Sequence, residues 1–268
     1  MAAPRSPLDR THPGLIAATA VVYLFLLGPL VIVFGAAFSN TTFLAFPPQG
    51  LSLRWFENAF ANSAFRASFV TSMQVAFGGT GLALLLGVPA AYAMSRYRVQ
   101  LPKALSVMFV LPILIPEIVA GFSMLRFLQV SLGLPVVAAL LLGHALLVLP
   151  YTVRVIGASL AAFDFSAEEA AISLGSPPLK TFVTIVLPNI RSGVIAAFVL
   201  AFITSLNDVS ISVFLTGPGV STLPIQILSY VEQFFDPTVA SVSVLLMVLT
   251  VAVMAAVERT LGLTTFTK

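Results

Sequence analysis

The chain has 268 residues, of which 59% are apolar and 9% charged, with a formal charge of +3 and a mean hydropathy of +1.05. A water-soluble domain carries about a quarter charged residues, because its surface must face water. Most of this surface therefore faces something else. The absence of cysteine excludes disulfides and thiolate metal sites.

Taken in order, the chain begins with a polar tail over residues 1–13 that leads into an apolar run. That run is too long for a signal-peptide core and has no obvious small-x-small cleavage site, so it reads as a retained anchor. Crossing the hydrocarbon core takes about 20 apolar residues in a helix. Six segments qualify, at about 14–38, 64–94, 104–128, 135–156, 193–214 and 238–261. The expected fold is an all-α membrane protein of six transmembrane helices. A single membrane domain would span 14–262, with a loop at 157–192 and a second short tail at 263–268. The second segment is long enough to tilt or to extend past the bilayer. The third contains Pro112 and Pro116, which predict a kink or a break. Such prolines are tolerated where neighbouring helices re-satisfy the freed backbone groups.

Lys and Arg concentrate in cytoplasmic loops. With the N-terminus inside, Arg5, Arg10, Arg96, Arg98, Lys103, Arg154, Lys180, Arg191, Arg259 and Lys268 lie inside, leaving Arg54, Arg66 and Arg126 outside. Both termini are then cytoplasmic. The first outside loop holds Trp55, the only tryptophan, expected at the membrane interface. The last outside loop holds a turn-forming run at 216–219, then Glu232 and Asp236. The stretch Gly78-Gly79-Thr80-Gly81, with Gly87, suits close helix approach. It lacks the Lys of a Walker loop, and no Walker sequence occurs elsewhere, so any ATP chemistry must come from a partner.

The inside loop 157–192 is the longest. Ser166 and Glu169 have capping-box spacing, which predicts a helix start, and Glu168 and Glu169 favour the positive end of that helix. Gly175 suits a left-handed helix end. Ser176-Pro177 can then open a second helix, with Ser as cap and Pro in the first turn. The expectation is two short helices with a sharp bend between them.

Glu169-Ala170-Ala171, Gly175, Ile185 and Leu187-Pro188 resemble, in identity and spacing, the "EAA" motif of ABC importer permeases. The segments 111–118, 205–209, 214–218 and 223–224 are similar to spermidine/putrescine-type permeases, and the likeness runs from about residue 55 to the C-terminus. Within that group the chain looks like the second of two paired permeases. Where the family often has two acids, this chain has Asn207-Asp208. The resemblance implies the type I importer fold in a bacterial inner membrane. It also implies no chemistry in this chain, since ATP and Mg are used by a partner. The implied partners are a dimer of ATPase subunits, a second permease (a paralogue), a periplasmic or extracellular solute-binding protein and the lipid bilayer. No nucleic acid is expected. The ATPase contact would fall on Glu168, Glu169, Ala170, Ala171, Gly175, Ser176, Leu187 and Pro188, and the solute would be a polyamine or, alternatively, another small solute such as an amino-acid-like compound or a phosphonate.

A charge at mid-membrane costs several kcal/mol and marks a functional candidate. At a helical rise of about 1.5 Å per residue, Glu117 lies about 20 Å from the inner end of its segment and Asp208 about 22 Å. His144 lies about 13 Å from the outer end. Glu117, Asn207, Asp208 and His144 are thus candidates to line a path for a cation. Alternatively, Glu117 or Asp208 caps a broken helix or pairs with Arg126, and His144 is a hydrogen-bonded packing residue. Two other classes compete: an ion-driven secondary transporter, which calls for matched broken helices, and an intramembrane enzyme, for which His12 and His144 are the only histidines.

Overall fold

The computed structural model describes residues 13–97 and 114–261. The described chain is helical, with isolated bridges at Ser39–Leu51 and Gly217–Val220. The helices are α1 (Pro13–Ala37), α2 (Arg54–Ala61), α3 (Ser63–Arg96), α4 (Glu117–Met124), α5 (Val136–Ala161), α6 (Ser166–Ser173), α7 (Pro178–Thr181), α8 (Leu187–Asn189), α9 (Arg191–Leu206), α10 (Ser212–Leu215), α11 (Leu223–Gln233) and α12 (Thr238–Leu261). A π-helical stretch, Leu125–Ser131, prolongs α4, and another, Phe182–Val186, joins α7 to α8.

Among the described residues, four helices are long and apolar enough to cross a membrane, or five if the bent pair Pro178–Asn189 and Arg191–Leu206 is one span. The ends of α1, α3 and α12 match the expected segments to within about two residues. The expected third segment is described only from residue 114; Pro112 lies outside the described residues, as do Arg98, Lys103, the N-terminal tail with His12 and the C-terminal tail. At Pro116 the chain breaks, and α4 starts after it. The expected fifth segment differs. It stops at Leu206, and residues 207–211 separate α9 from α10, a second break, at the Asp208 for which a helix-capping role was the alternative. Helices α2 and α11 fall in stretches expected to be loops.

The chain divides into two compact units, Met1–Asn62 with Tyr230–Val248, and Ser63–Ser229 with Leu249–Lys268. In the first, Ala36 and Ala37 meet Ala240 and Val244. Trp55 is buried. Its indole N–H donates to the Ser39 carbonyl at 2.9 Å, and the Ser241 hydroxyl donates to its carbonyl at 2.9 Å. The Arg54 guanidinium lies 4.4 Å over the ring. Asp236 accepts from the Tyr230 hydroxyl and from the Thr238 N–H, both at 2.9 Å, and so caps α12. Along α1 the membrane-length window has no buried residue, so its face is left for lipid or another chain.

In the second unit α3 packs most extensively on α5, and α9 packs on both. The buried stripe of α3 is mostly small (Ser68, Ser72, Ala76, Gly79, Thr80, Ala83, Gly87 and Ala91). Small residues let membrane helices approach closely, where dispersion rather than water expulsion holds them. A Cβ on Gly79 would lie 3.0 Å from the His144 Cβ and 3.3 Å from the Ala145 backbone nitrogen. The expected role of this glycine run holds at Gly79, whereas Gly81 faces open space.

Candidate functional site

The segment between α5 and α9 forms the expected pair of short helices. Helix α6 starts at Ser166, but the capping group is Asp164 and not Ser166. The Ser166 N–H donates to Asp164 Oδ1 at 3.0 Å, and no capping-box bond from the Ser166 side chain forms. The Ser166 N–H, and secondarily the Ser166 hydroxyl donating to the same carboxylate, hold the Asp164 carboxyl below its ordinary range. The far end is a full Schellman motif. The Ser176 N–H donates to the Ala171 carbonyl at 3.1 Å, the Gly175 N–H donates to Ile172 at 2.9 Å, and Gly175 has φ +92°. The second helix begins at Pro178, with Pro177 rather than Ser176 as its flanking residue. Ser176 instead accepts a bond from the Thr181 hydroxyl at 2.9 Å. The chain then turns by 73° between α8 and α9.

The pair has two faces. Outward lie Glu169, Ala170 and Gly175 with apolar Ile172, Leu174 and Leu179. Leu174 is 90% exposed and Leu179 76%. Pro188 is exposed, Ala171, Ser176 and Leu187 half-buried. Inward lies Glu168, 1% exposed. Its carboxylate accepts from the Tyr92 hydroxyl and pairs with Arg96 Nε at 3.3 Å. Arg96 also reaches Glu169 Oε1 through Nη2 at 3.0 Å and lies 5.4 Å over the Phe165 ring. Phe182 meets Tyr92 edge-on at 4.8 Å. Sequence reasoning missed Tyr92, Arg96, Phe165 and Phe182 as site residues. Arg96 stood out only as one more inside charge, and a pairing across some seventy residues leaves no local pattern.

The second cluster sits at the break after α9. Asp208 accepts from the Ile211 N–H at 3.3 Å and from the Ser212 N–H and hydroxyl, both at 2.9 Å. It is 7% exposed and caps α10. His144 Nδ1 lies 2.8 Å from the Ser205 hydroxyl, and Nε2 lies 3.0 Å from Ser212 and 3.8 Å from Asp208 Oδ2. Since the Ser212 hydroxyl donates to Asp208, it accepts from the imidazole. A neutral His144 therefore carries its proton on Nε2 and accepts from Ser205 at Nδ1. The structure thus brings His144 and Asp208 together and leaves Glu117 and Asn207 on exposed positions. No ion pair joins Glu117 or Asp208 to Arg126. Glu117 lines a cavity of about 580 Å³ with Leu86, Ser123, Phe127, Tyr151 and Ile211. The Asn207 side chain donates to the Ile203 carbonyl at 2.9 Å. Ser205 and Ser212 were not singled out from sequence as partners, because hydroxyls in apolar helices are common.

This arrangement of helices is that of an ABC importer membrane subunit. A bacterial ABC transporter that imports the acidic polysaccharide alginate contains a chain matching 96% of this one and 99% of itself, at a TM-score of 0.75 and 17% identity. The MetNI methionine transporter matches 74% of this chain at a TM-score of 0.62 and 20% identity. Residues 79–261 match the family described as "Binding-protein-dependent transport system inner membrane component", and the chain belongs to that family. It is 30% identical over 242 residues to the putrescine transport system permease protein PotI of Escherichia coli (strain K12), covering 88% of this chain and 86% of that one. It is 32% identical over 235 residues to the spermidine/putrescine transport system permease protein PotC of Haemophilus influenzae (strain ATCC 51907 / DSM 11121 / KW20 / Rd), covering 87% and 90%. A putative 2-aminoethylphosphonate transport system permease protein, PhnV of Salmonella paratyphi A (strain ATCC 9150 / SARB42), is 29% identical over 256 residues, 95% of this chain and 96% of that one. The protein is therefore a multi-pass inner-membrane permease subunit and not itself the catalyst. A binding-protein-dependent transporter of this kind works with an ATPase and a solute-binding protein.

Proposed function

We propose that this chain forms one half of a two-permease pore that imports a polyamine by alternating access, the other half being a paralogue. Six spans cross the membrane between residues 14 and 262, with both termini in the cytoplasm. The exposed face around Glu169, Ala170, Gly175 and Leu174 docks on a dimer of ATPase subunits that bind ATP and Mg, and a solute-binding protein engages the opposite side. ATP favours one of two pre-existing states by binding it better, and the short helices carry that preference into the membrane. Glu117 and Asn207 line the path, with Asp208 and His144 shaping the break beside it.

The observation that carries the polyamine reading is the similarity to PotI and PotC over most of each chain. Support for the docking face is the exposed apolar pair Leu174 and Leu179 flanking the left-handed Gly175. The similarity to PhnV favours a second reading, an aminophosphonate as solute. The test is the full complex in liposomes, with ATPase rate and uptake measured against putrescine, spermidine, amino acids, sugars and a phosphonate. Stimulation and uptake by polyamines alone is the expected result. Stimulation by another solute discards the polyamine, and absence of any ATPase dependence discards the importer mechanism.

A further inference from the structure

Tyr92 and Arg96 are one helical turn apart, so they project from the same face of α3. Together they grip both sides of the bend. Arg96 covers Phe165, just before α6, while Tyr92 packs edge-on against Phe182, just after α7. The Glu168 carboxylate is buried, accepting from the Tyr92 hydroxyl and paired with Arg96. A carboxylate removed from water is tolerated only while its partners stay in place. A shift of α6 along α3 that keeps the carboxylate out of water would part it from Tyr92 and Arg96, and a buried charge without partners is strongly disfavoured. The other route from the bend into the membrane follows the chain through the 73° turn into α9. Helix α3 by contrast runs unbroken from Arg96 to Ser63 along α5.

We propose that Tyr92, Arg96 and Glu168 form a joint that makes α6 and the end of α3 move as one body, so that α3 receives the displacement delivered at the short helices. This rests on the coupling role proposed above for those helices. The three side chains are positioning residues. They touch neither solute nor nucleotide, and their effect is on how much transport each ATP produces. Arg96 adds a second tie, since its Nη2 holds Glu169 on the outer face, orienting the carboxylate beside the surface offered to the ATPase.

The experiment uses the complete transporter in liposomes and reads solute uptake per ATP hydrolysed. Tyr92→Phe removes one hydroxyl and keeps the ring, and Glu168→Gln keeps the shape and removes the charge. Both complexes should retain the ATPase and its stimulation by the binding protein, while uptake per ATP falls. A hydrogen bond to a charged group corresponds to about tenfold to a hundredfold in an equilibrium constant, and a loss of at least about tenfold is expected. The double variant should lose less than the two single losses combined, because the two residues share one contact. Unchanged uptake per ATP in both variants, with the ATPase bound and stimulated, overturns the joint and leaves the coupling role standing. Loss of the ATPase from the Tyr92→Phe complex also overturns it, since the residues would then serve docking. Normal uptake by a Gly175→Val complex removes the coupling role and the joint with it.

Discussion

At Gly175 the backbone conformation, not space, sets the residue. Nothing lies within 4 Å of an added Cβ, yet φ is +92°. A side chain with a Cβ costs about 1–2 kcal/mol in the left-handed region, and a β-branched one is disfavoured further. Gly175→Val should therefore leave the protein in the membrane but uncouple uptake from ATP hydrolysis, while Gly175→Asn should retain most uptake. Transport assays on the two variants side by side check this. Asp164 offers a pH test. Its folded-state pKa is depressed by the Ser166 bonds, so its stabilisation of α6 is present above the unfolded pKa and disappears as pH falls through the folded one. Hydrogen-exchange protection at the Ser166 amide should hold at neutral pH and decline only in acid. Asp164→Ala should lose it at every pH.

At the scale of elements, two features decide the second unit. One is the close crossing of α3 and α5 at Gly79, where His144 and backbone stand opposite. Gly79→Val should force the helices apart and cost about 1–3 kcal/mol, read as a lower melting temperature in detergent. The other is the break between α9 and α10, where Asp208 takes three bonds from Ile211 and Ser212. Asp208→Asn puts an amide donor where only donors point, which should cost about 1–3 kcal/mol. A fall in melting temperature together with uptake assigns Asp208 to the break. A fall in uptake of cations at unchanged melting temperature assigns it to the path.

For the whole molecule, topology and partnership are the quantities to test. The chain has no cysteine, so single cysteines report cleanly. With both termini inside, a cysteine at the exposed Leu174 should react with an impermeant maleimide only from the cytoplasmic side. One at the exposed Leu51 should react only from outside; labelling of both from one side rejects the proposed arrangement. The length of α1 without buried residues and the exposed Leu24 and Phe25 belong to a surface meant for lipid or another subunit. The isolated chain should accordingly require detergent and its partners for stability.

Sequence by itself determined the solvent, the helical class and the short helix pair. Apolar length is a local property set by bilayer thickness, and the bend at Gly175 follows from one residue's allowed backbone angles. Family membership was legible too, because Glu169, Ala170, Ala171, Gly175 and Leu187-Pro188 lie within one short stretch. Tertiary structure decided the rest. The break at 207–211 was legible only as one of two readings of Asp208, since that residue becomes a cap only when the chain opens there and His144 comes across from α5 to meet Ser212. The cap of α6 moved from Ser166 to Asp164 because the helix already begins at Ser166: the Glu169 N–H goes to the Phe165 carbonyl, and the Ser166 N–H is the free donor that Asp164 accepts. Above all, Glu168 and Glu169 are adjacent and alike in sequence, yet one is buried on Tyr92 and Arg96 while the other faces out. Which of two neighbouring carboxylates leaves water depends on what folds back against the helix, and that is a matter of distant residues meeting in space.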